Sequence, residues 1–324
     1  MYESFQIFAQ ICVAILLEAA PFLLLGALAS GLFEVFASRD WIERLMPRSP
    51  LAGVLAGTVL GLMMPCCECG IVPLVRRLIA KGVPPATAMT FMLAGPVINP
   101  VVLASTFVAF QGDLTVVALR CALVAAVAVA IGFCLRNKAP EDILLPGAAP
   151  GAACGCGDEP ATAAGGLFGS LADAAPLSAL KGPSLGSRLE HALRHAQGDF
   201  LDMFRILILG AMVAAAFKTF VPAGFVSLMQ GDLMLSVVGM MGLAVLLSLC
   251  SQADAFVAAS LSGFPLAARL AFLALGPVLD VKLVLMWQGA FRYRVIKLLV
   301  LVPVVLVFSI CMLLGAALKL WGPQ

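Results

Sequence analysis

Three thiols and a carboxylate stand together at Cys66-Cys67-Glu68-Cys69, between Pro65 and Gly70, inside a long apolar run. Thiolates are soft ligands that select ions such as Cu(I), Zn(II) or trivalent arsenic over hard cations. They bind only when deprotonated, so Glu68 is suited to accept a displaced thiol proton. Pro65 removes a backbone donor and kinks any helix at that point, and Gly70 and Pro73 disfavour clean continuation. Freed backbone groups at membrane depth are tolerated only where they are buried in protein or line a watery cavity. The segment is therefore expected to bend or unwind near mid-membrane, with Cys66, Cys67 and Cys69 as substrate ligands. The plainer alternative, a structural kink with inert cysteines, suits one thiol better than three. Cys12, Cys121, Cys134 and Cys311, each alone in an apolar run, fit it well.

A second polar interruption, Cys250-Ser251-Gln252-Ala253-Asp254, offers a further sulfur and a carboxylate. Two Gly-Pro breaks follow the pair of segments: Gly95-Pro96-Val97-Ile98-Asn99-Pro100 and Gly276-Pro277-Val278-Leu279-Asp280-Val281-Lys282. Asn99 and Asp280 occupy equivalent places in them and are expected to line a cavity, with Lys282 compensating the charge of Asp280. An ionisable group at the centre of a span costs at least about 2.5–3.5 kcal/mol, so such groups mark a pathway or a pair. Glu68, Asp254, Asp280 and Glu18 are candidates for carrying protons. Asp202 matches Glu18 in the second half but suits an ordinary interfacial position, and Arg120 and Arg205 are given no role. Cys154-Gly155-Cys156 could hold a soft ion through two sulfurs, short of the four ligands of a structural zinc site. His191 and His195, at i and i+4, share a face of an amphipathic stretch over 186–200 and could assist Cys154 and Cys156.

The elements that must position these residues are membrane helices. Of 324 residues, 62% are hydrophobic and 12% charged, with a net charge of +2. A soluble domain averages about 45–50% apolar and about 25% charged, so this is an all-α polytopic membrane protein rather than a soluble or nucleic-acid-binding one. Apolar runs at 5–36, 51–73, 85–110, 114–135, 201–221, 233–253, 265–290 and 295–320 suggest about eight crossings. Residues 136–200 change composition to Pro, Gly, Ala and Ser, a linker between a first unit, 1–135, and a second, 201–324.

The halves resemble each other. Gly26-Ala27 recurs as Gly210-Ala211, and 81–100 recurs as 262–281, pairing Gly82 with Gly263, Pro84 with Pro265, Phe91 with Phe272 and Asn99 with Asp280. This register sets Cys69 against Cys250; a slide of two sets Cys67 there instead. Four spans per half predict parallel repeats about an axis along the membrane normal, with substrate bound at the interrupted helices. The same count places Arg136, Lys138, Arg188, Arg194, Arg76, Arg77 and Lys81 on one face. It places Arg39, Arg44, Arg48, Arg292, Arg294 and Lys297 on the other, leaving the positive-inside bias weak.

Taken together, 65–74, 95–100 and 250–256 resemble the signature segments of the permease family that includes organoarsenical (ArsP-like) efflux permeases. Cys67, Cys69 and Cys250 match that family's cysteines. The form with Cys66 and Glu68 and a Cys-containing linker is most similar to the branch described as copper/zinc efflux transporters. The resemblance implies efflux of a thiol-seeking ion or metalloid across a bacterial-type inner membrane. The chain lacks a Gly-rich phosphate loop for ATP, so a secondary, proton-coupled transporter without a resident cofactor is expected, not an enzyme. A permease for a sulfur-containing small molecule and a thiol/disulfide redox protein are the alternatives.

Overall fold

The computed structural model describes residues 2–36, 52–53, 55–58, 68–145, 185–220 and 232–321; side chains of a few helical residues, Glu18, Cys69, His191 and His195 among them, lie outside that description. In the first half the helices are α1 (Tyr2–Phe36), α2 (Glu68–Ala80), α3 (Pro85–Ala94), α4 (Pro100–Ala109), α5 (Leu114–Leu135) and the one-turn α6 (Pro140–Ile143). In the second they are α7 (Leu185–Phe220), α8 (Leu233–Leu247), α9 (Ala253–Ser260), α10 (Leu266–Leu275), α11 (Val281–Gln288) and α12 (Tyr293–Trp321). Among the described residues there is no strand, only an isolated bridge between Leu144 and Phe291.

Three stretches, Gln6–Leu28, Leu114–Leu135 and Tyr293–Lys319, are long and apolar enough to cross a bilayer of about 30 Å. They carry exposed Leu17, Leu25, Leu114, Phe133, Leu301 and Leu313 on their outer faces. Helices apolar all round with such faces uncovered need lipid as solvent. The chain is an all-α polytopic membrane protein.

The shorter helices arise from local sequence. Pro84 and Pro265, in near-identical conformations, precede α3 and α10, whose Pro85 and Leu266 open the first turn. Gly95 and Gly276 close those helices, donating to the carbonyls of Phe91 (2.9 Å) and Phe272 (3.0 Å). Asn99 and Asp280 then turn extended, with φ −135° and −140°, and their side chains accept from the amides of Val102 and Leu283. Each thus caps the following helix, satisfying a donor that would otherwise be orphaned in the membrane. The two breaks follow one backbone path.

Contacts along the helices set their directions. Thr90 Oγ1 donates to the Ala128 carbonyl, and Arg120 donates to Thr106, so α3 and α4 together run the length of α5 in the opposite sense. They form one broken crossing. A β-carbon on Gly315, late in α12, would meet Leu233 at the start of α8 and Ala267 at the start of α10. A β-carbon on Gly276 would meet Ala244 of α8 and Asp254 of α9. Hence α8 and α10 enter from one end side by side, and α9 must return to that end before α10 begins. The pair α8–α9 is a re-entrant hairpin with Cys250 and Ser251 at its tip. In the first half Gly53 lies on Thr87 and Gly57 on Thr87 and Phe91, so the described residues 52–53 and 55–58 run beside α3 from the same end, and α2 ends next to the start of α3.

Two details of the eight-crossing expectation are thereby revised. The run 233–253 enters and returns rather than crosses, and the described residues 52–53, 55–58 and 68–80 start and finish beside the start of α3, so the described helices make three crossings in each half. An odd number inverts the second half. Accordingly the equivalent helices α1 and α7 are antiparallel: Ile15 packs with Ala211, whereas Gly31 lies on Ala192 and Ala196. The repeats are inverted, not parallel, and Arg292 and Arg294 do not lie opposite Lys138. All three line one cavity where the end of α5 meets the start of α12. In addition, the helix expected over 201–221 begins at Leu185, so the amphipathic stretch with His191 and His195 is its first part rather than a separate piece.

Candidate transport site

Inversion brings the start of α2 against the tip of α8–α9. Glu68 opens α2, and its carboxylate receives a long hydrogen bond, 3.5 Å, from Ser251 Oγ in that tip. Both residues are buried, as is Cys250. The Ser251 carbonyl in turn accepts from Arg120 Nη2 at 3.0 Å. The same nitrogen reaches both carboxylate oxygens of Asp254, at 2.9 and 3.0 Å, and Nη1 donates to Thr106 Oγ1 at 2.7 Å. Thr106 donates its own hydroxyl hydrogen bond to the Val102 carbonyl at 2.7 Å. Arg120 and Asp254 are 0% and 1% exposed, so this ion pair is dry.

The network is made across the halves: Glu68, Thr106 and Arg120 come from the first, Ser251 and Asp254 from the second. A charge pair in low dielectric holds only when its remaining donors and acceptors are also satisfied, and Thr106 and the Ser251 carbonyl do part of that work. Ser248 ends α8 in the left-handed region, φ 46°, turning the chain into Cys250 and Ser251 before α9. That conformation is uncommon for a residue with a side chain.

The two breaks lie beside the network and differ in charge. Asn99 donates from Nδ2 to the carbonyls of Gly95 and Pro96, both at 3.1 Å, using its whole amide locally. Asp280, fully buried, accepts from the Leu283 amide at 2.6 Å through one oxygen and faces Lys282 Nζ at 3.5 Å with the other. Lys282 is itself buried and packs on Gly210 of α7, where a β-carbon would crowd its backbone.

Among the residues singled out by sequence, the structure brings Glu68, Cys250 and Asp254 into one centre and sets Asn99 and Asp280 in equivalent caps. Cys69 follows Glu68 in the first turn of α2, so its backbone is at the same place. Cys66, Cys67, Cys154 and Cys156 and the side chains of Cys69, Glu18, His191 and His195 lie outside the described residues. Among the described residues no three His, Cys, Asp or Glu side chains group to hold a metal. Asp202, a candidate proton carrier alongside Glu18 by its matching place in the second half, is exposed. Arg120 is the residue that sequence reasoning passed over. Its signal was there: a lone arginine within the apolar run 114–135 must find a partner.

Broken helices, a re-entrant hairpin and a buried polar centre shared by inverted halves define a transporter-type membrane protein. The comparisons make this specific. The family described as "Predicted permease" (ArsP_1) matches residues 4–316, and the chain belongs to it. It is 38% identical to the UPF0718 protein YcgR of Bacillus subtilis, over 95% of this chain and 96% of the relative. It is 34% identical, over 94% of both chains, to a Streptococcus mutans protein provisionally named a two-component membrane permease complex subunit. A shorter match, 32% over 24% of this chain and 23% of the relative, is to the UPF0718 protein YraQ of Escherichia coli. No solved structure matches. Membership of a permease family points to transport rather than catalysis.

Proposed function

We propose that this permease exports a thiol-seeking metal ion or metalloid, copper, zinc or a trivalent arsenical, bound where the start of α2 meets the tip of α8–α9. The observation that carries the reading is the contact of Glu68 with Ser251, two residues each adjacent in sequence to a cysteine, Cys69 and Cys250. Cys67, Cys69 and Cys250 supply sulfur, with Cys66 adjacent. Thiol protons released on loading pass to Glu68, Asp254 or Asp280, so that export is coupled to protons. The substrate is the only metal; no resident cofactor takes part. Residues 1–135 and 201–324 act as two units joined by 136–200, and rocking of one against the other alternates access. Cys154, Cys156, His191 and His195 form an accessory site that hands the ion to the centre.

The membrane is the bacterial inner membrane, with the linker end in the cytoplasm. Support comes from the inverted arrangement. The end of α2 adjoins the start of α3, and α5 returns there, so Arg76, Arg77, Lys81, Arg136 and Lys138 gather at one end with Arg292 and Arg294; the Arg77–Asp199 ion pair, 2.7 Å, brings the early part of α7 to it. The opposite end carries Asp113, Asp232, Arg269 and Lys319. That asymmetry is the positive-inside pattern. The name of the Streptococcus relative supports a second membrane subunit as partner.

Uptake of copper, zinc and methylarsenite into inverted vesicles tests the reading. Uptake should require a proton gradient, and Cys69→Ser or Cys250→Ser should abolish it. Equal metal content in vesicles with and without the protein sinks the export reading. Uptake of a sulfur-containing solute instead assigns the cysteines to that substrate.

A further inference from the structure

The cavity at the linker end belongs to none of this chemistry. It measures about 600 Å³ and is lined by Lys138, Arg292 and Arg294, with Asp142 as the opposing acid and Leu135 and Leu298 among its apolar walls. Arg292 is anchored: its amide donates to the Ile143 carbonyl at 2.8 Å and its Nε to the Leu144 carbonyl at 3.2 Å, closing α6 onto α12. Lys138 and Arg294 make no ion pair among the described residues. Two cations are thus held beside a third, facing a concave space, with one carboxylate for the three.

We propose that this cavity binds the phosphate headgroup of an anionic phospholipid. The location selects the ligand. Leu114–Leu135 and Tyr293–Lys319 both have membrane length, so their shared end lies at the headgroup level. Aromatic side chains mark that level: Tyr293, 70% exposed, lies under Lys297 at 4.7 Å, and Phe133 lies under Arg136 at 4.0 Å. Such amphipathic rings favour the interface. The apolar walls continue into the lipid-facing surface of α12, at Leu301 and Val305, giving an acyl chain a path out of the cavity. A phosphate in free solution has no use for those walls, whereas basic pockets between membrane helices suit lipid headgroups. A lipid seated there packs against α5, which carries Arg120, and against α12.

The test is native mass spectrometry of the intact chain from nanodiscs of phosphatidylcholine mixed equally with phosphatidylglycerol. Phosphatidylglycerol should be retained in preference, and the Lys138→Gln/Arg294→Gln variant should lose about thirtyfold of that preference, the loss of two surface cations. The charge-conserving Lys138→Arg/Arg294→Lys variant should keep it. Equal retention of the two lipids by the unmodified protein overturns the proposal, a result that needs no variant to fold. So does a double Gln variant with undiminished preference. Inorganic phosphate added to phosphatidylcholine nanodiscs separates the sources: protection from thermal unfolding equal to that from phosphatidylglycerol would assign the site to free phosphate and overturn the lipid assignment.

Discussion

The broken crossings α3–α4 and α10–α11 share a backbone and differ in charge. In the first, Asn99 caps the second helix and spends its amide on the carbonyls of Gly95 and Pro96. In the second, Asp280 makes the same cap with one oxygen and holds the other against Lys282. The first break shows that a neutral amide is enough to build this structure. The charge at Asp280 and its partner at Lys282 are therefore additions to the second half, made against the cost of burying ions. The polar centre is divided in the same uneven way. Arg120 from the first half meets Asp254 from the second, and the offset of 181 that relates the breaks puts Leu301 and Pro73 in the corresponding places. The scaffold is repeated, and the ionisable groups of the breaks and of the polar centre are not.

The largest effect expected from breaking this asymmetry is at the cross-half pair. Arg120→Met leaves Asp254 buried without its cation and should destabilise the protein by about 3–5 kcal/mol, read as a lowered melting temperature in detergent. Arg120→Met/Asp254→Leu should recover most of that loss; no recovery would mean that stability needs the pair itself, and that the loss is not the burial of an unpaired charge. Next come the close approaches that set the helices. A β-carbon on Gly26 would stand 2.5 Å from the Gly70 carbonyl oxygen, whereas one on Gly242 meets nothing within 4 Å. Gly26→Ala should cost about 1–3 kcal/mol, and Gly242→Ala should be neutral or stabilising; equal effects would contradict the packing of α1 on α2.

The breaks themselves come third. Asn99→Ala removes a cap and should cost about 0.5–2 kcal/mol. Asp280→Asn keeps the cap and should fold, yet abolish vesicle uptake, and adding Asn99→Asp should not restore it. Restored uptake would show that the charge belongs to neither half in particular. The smallest effect lies outside the membrane. Asp113 caps α5, and the Thr115 amide at 2.8 Å holds its carboxyl below the ordinary range. Its contribution is complete above the unfolded value, about 3.9, and disappears as pH falls through the lowered folded value. Asp113→Asn, which caps without titrating, should flatten the melting profile between pH 5 and about 2; an unchanged profile would remove the cap from the account.

Much of this was legible in the sequence because it is local. Gly-Pro pairs and a capping residue break a helix wherever they fall, so both breaks, the tip at Cys250 and the pairing of Lys282 with Asp280 could be read directly. Direction could not. An apolar run of 21 residues, as at 233–253, reads the same whether it crosses or enters and returns, and it takes contacts distant in sequence, such as Leu233 and Ala267 meeting at Gly315, to separate the two. The miscount then carried over to the inversion and to the charges, dispersing a set of cations that the fold gathers. Arg120 was visible as an anomaly, but its partner lies 134 residues away and no spacing rule reaches it.

The inversion is the claim from which the contact of α2 with the α8–α9 tip, the cross-half centre and the basic end all follow. It is tested most directly by labelling Lys138→Cys and Arg292→Cys, each in a chain whose native cysteines are replaced by Ser, with a membrane-impermeant maleimide in right-side-out and inverted vesicles. Both positions should react in the inverted vesicles and be protected in the right-side-out ones. Reaction of the two from opposite sides of the membrane would restore the parallel arrangement and contradict the account.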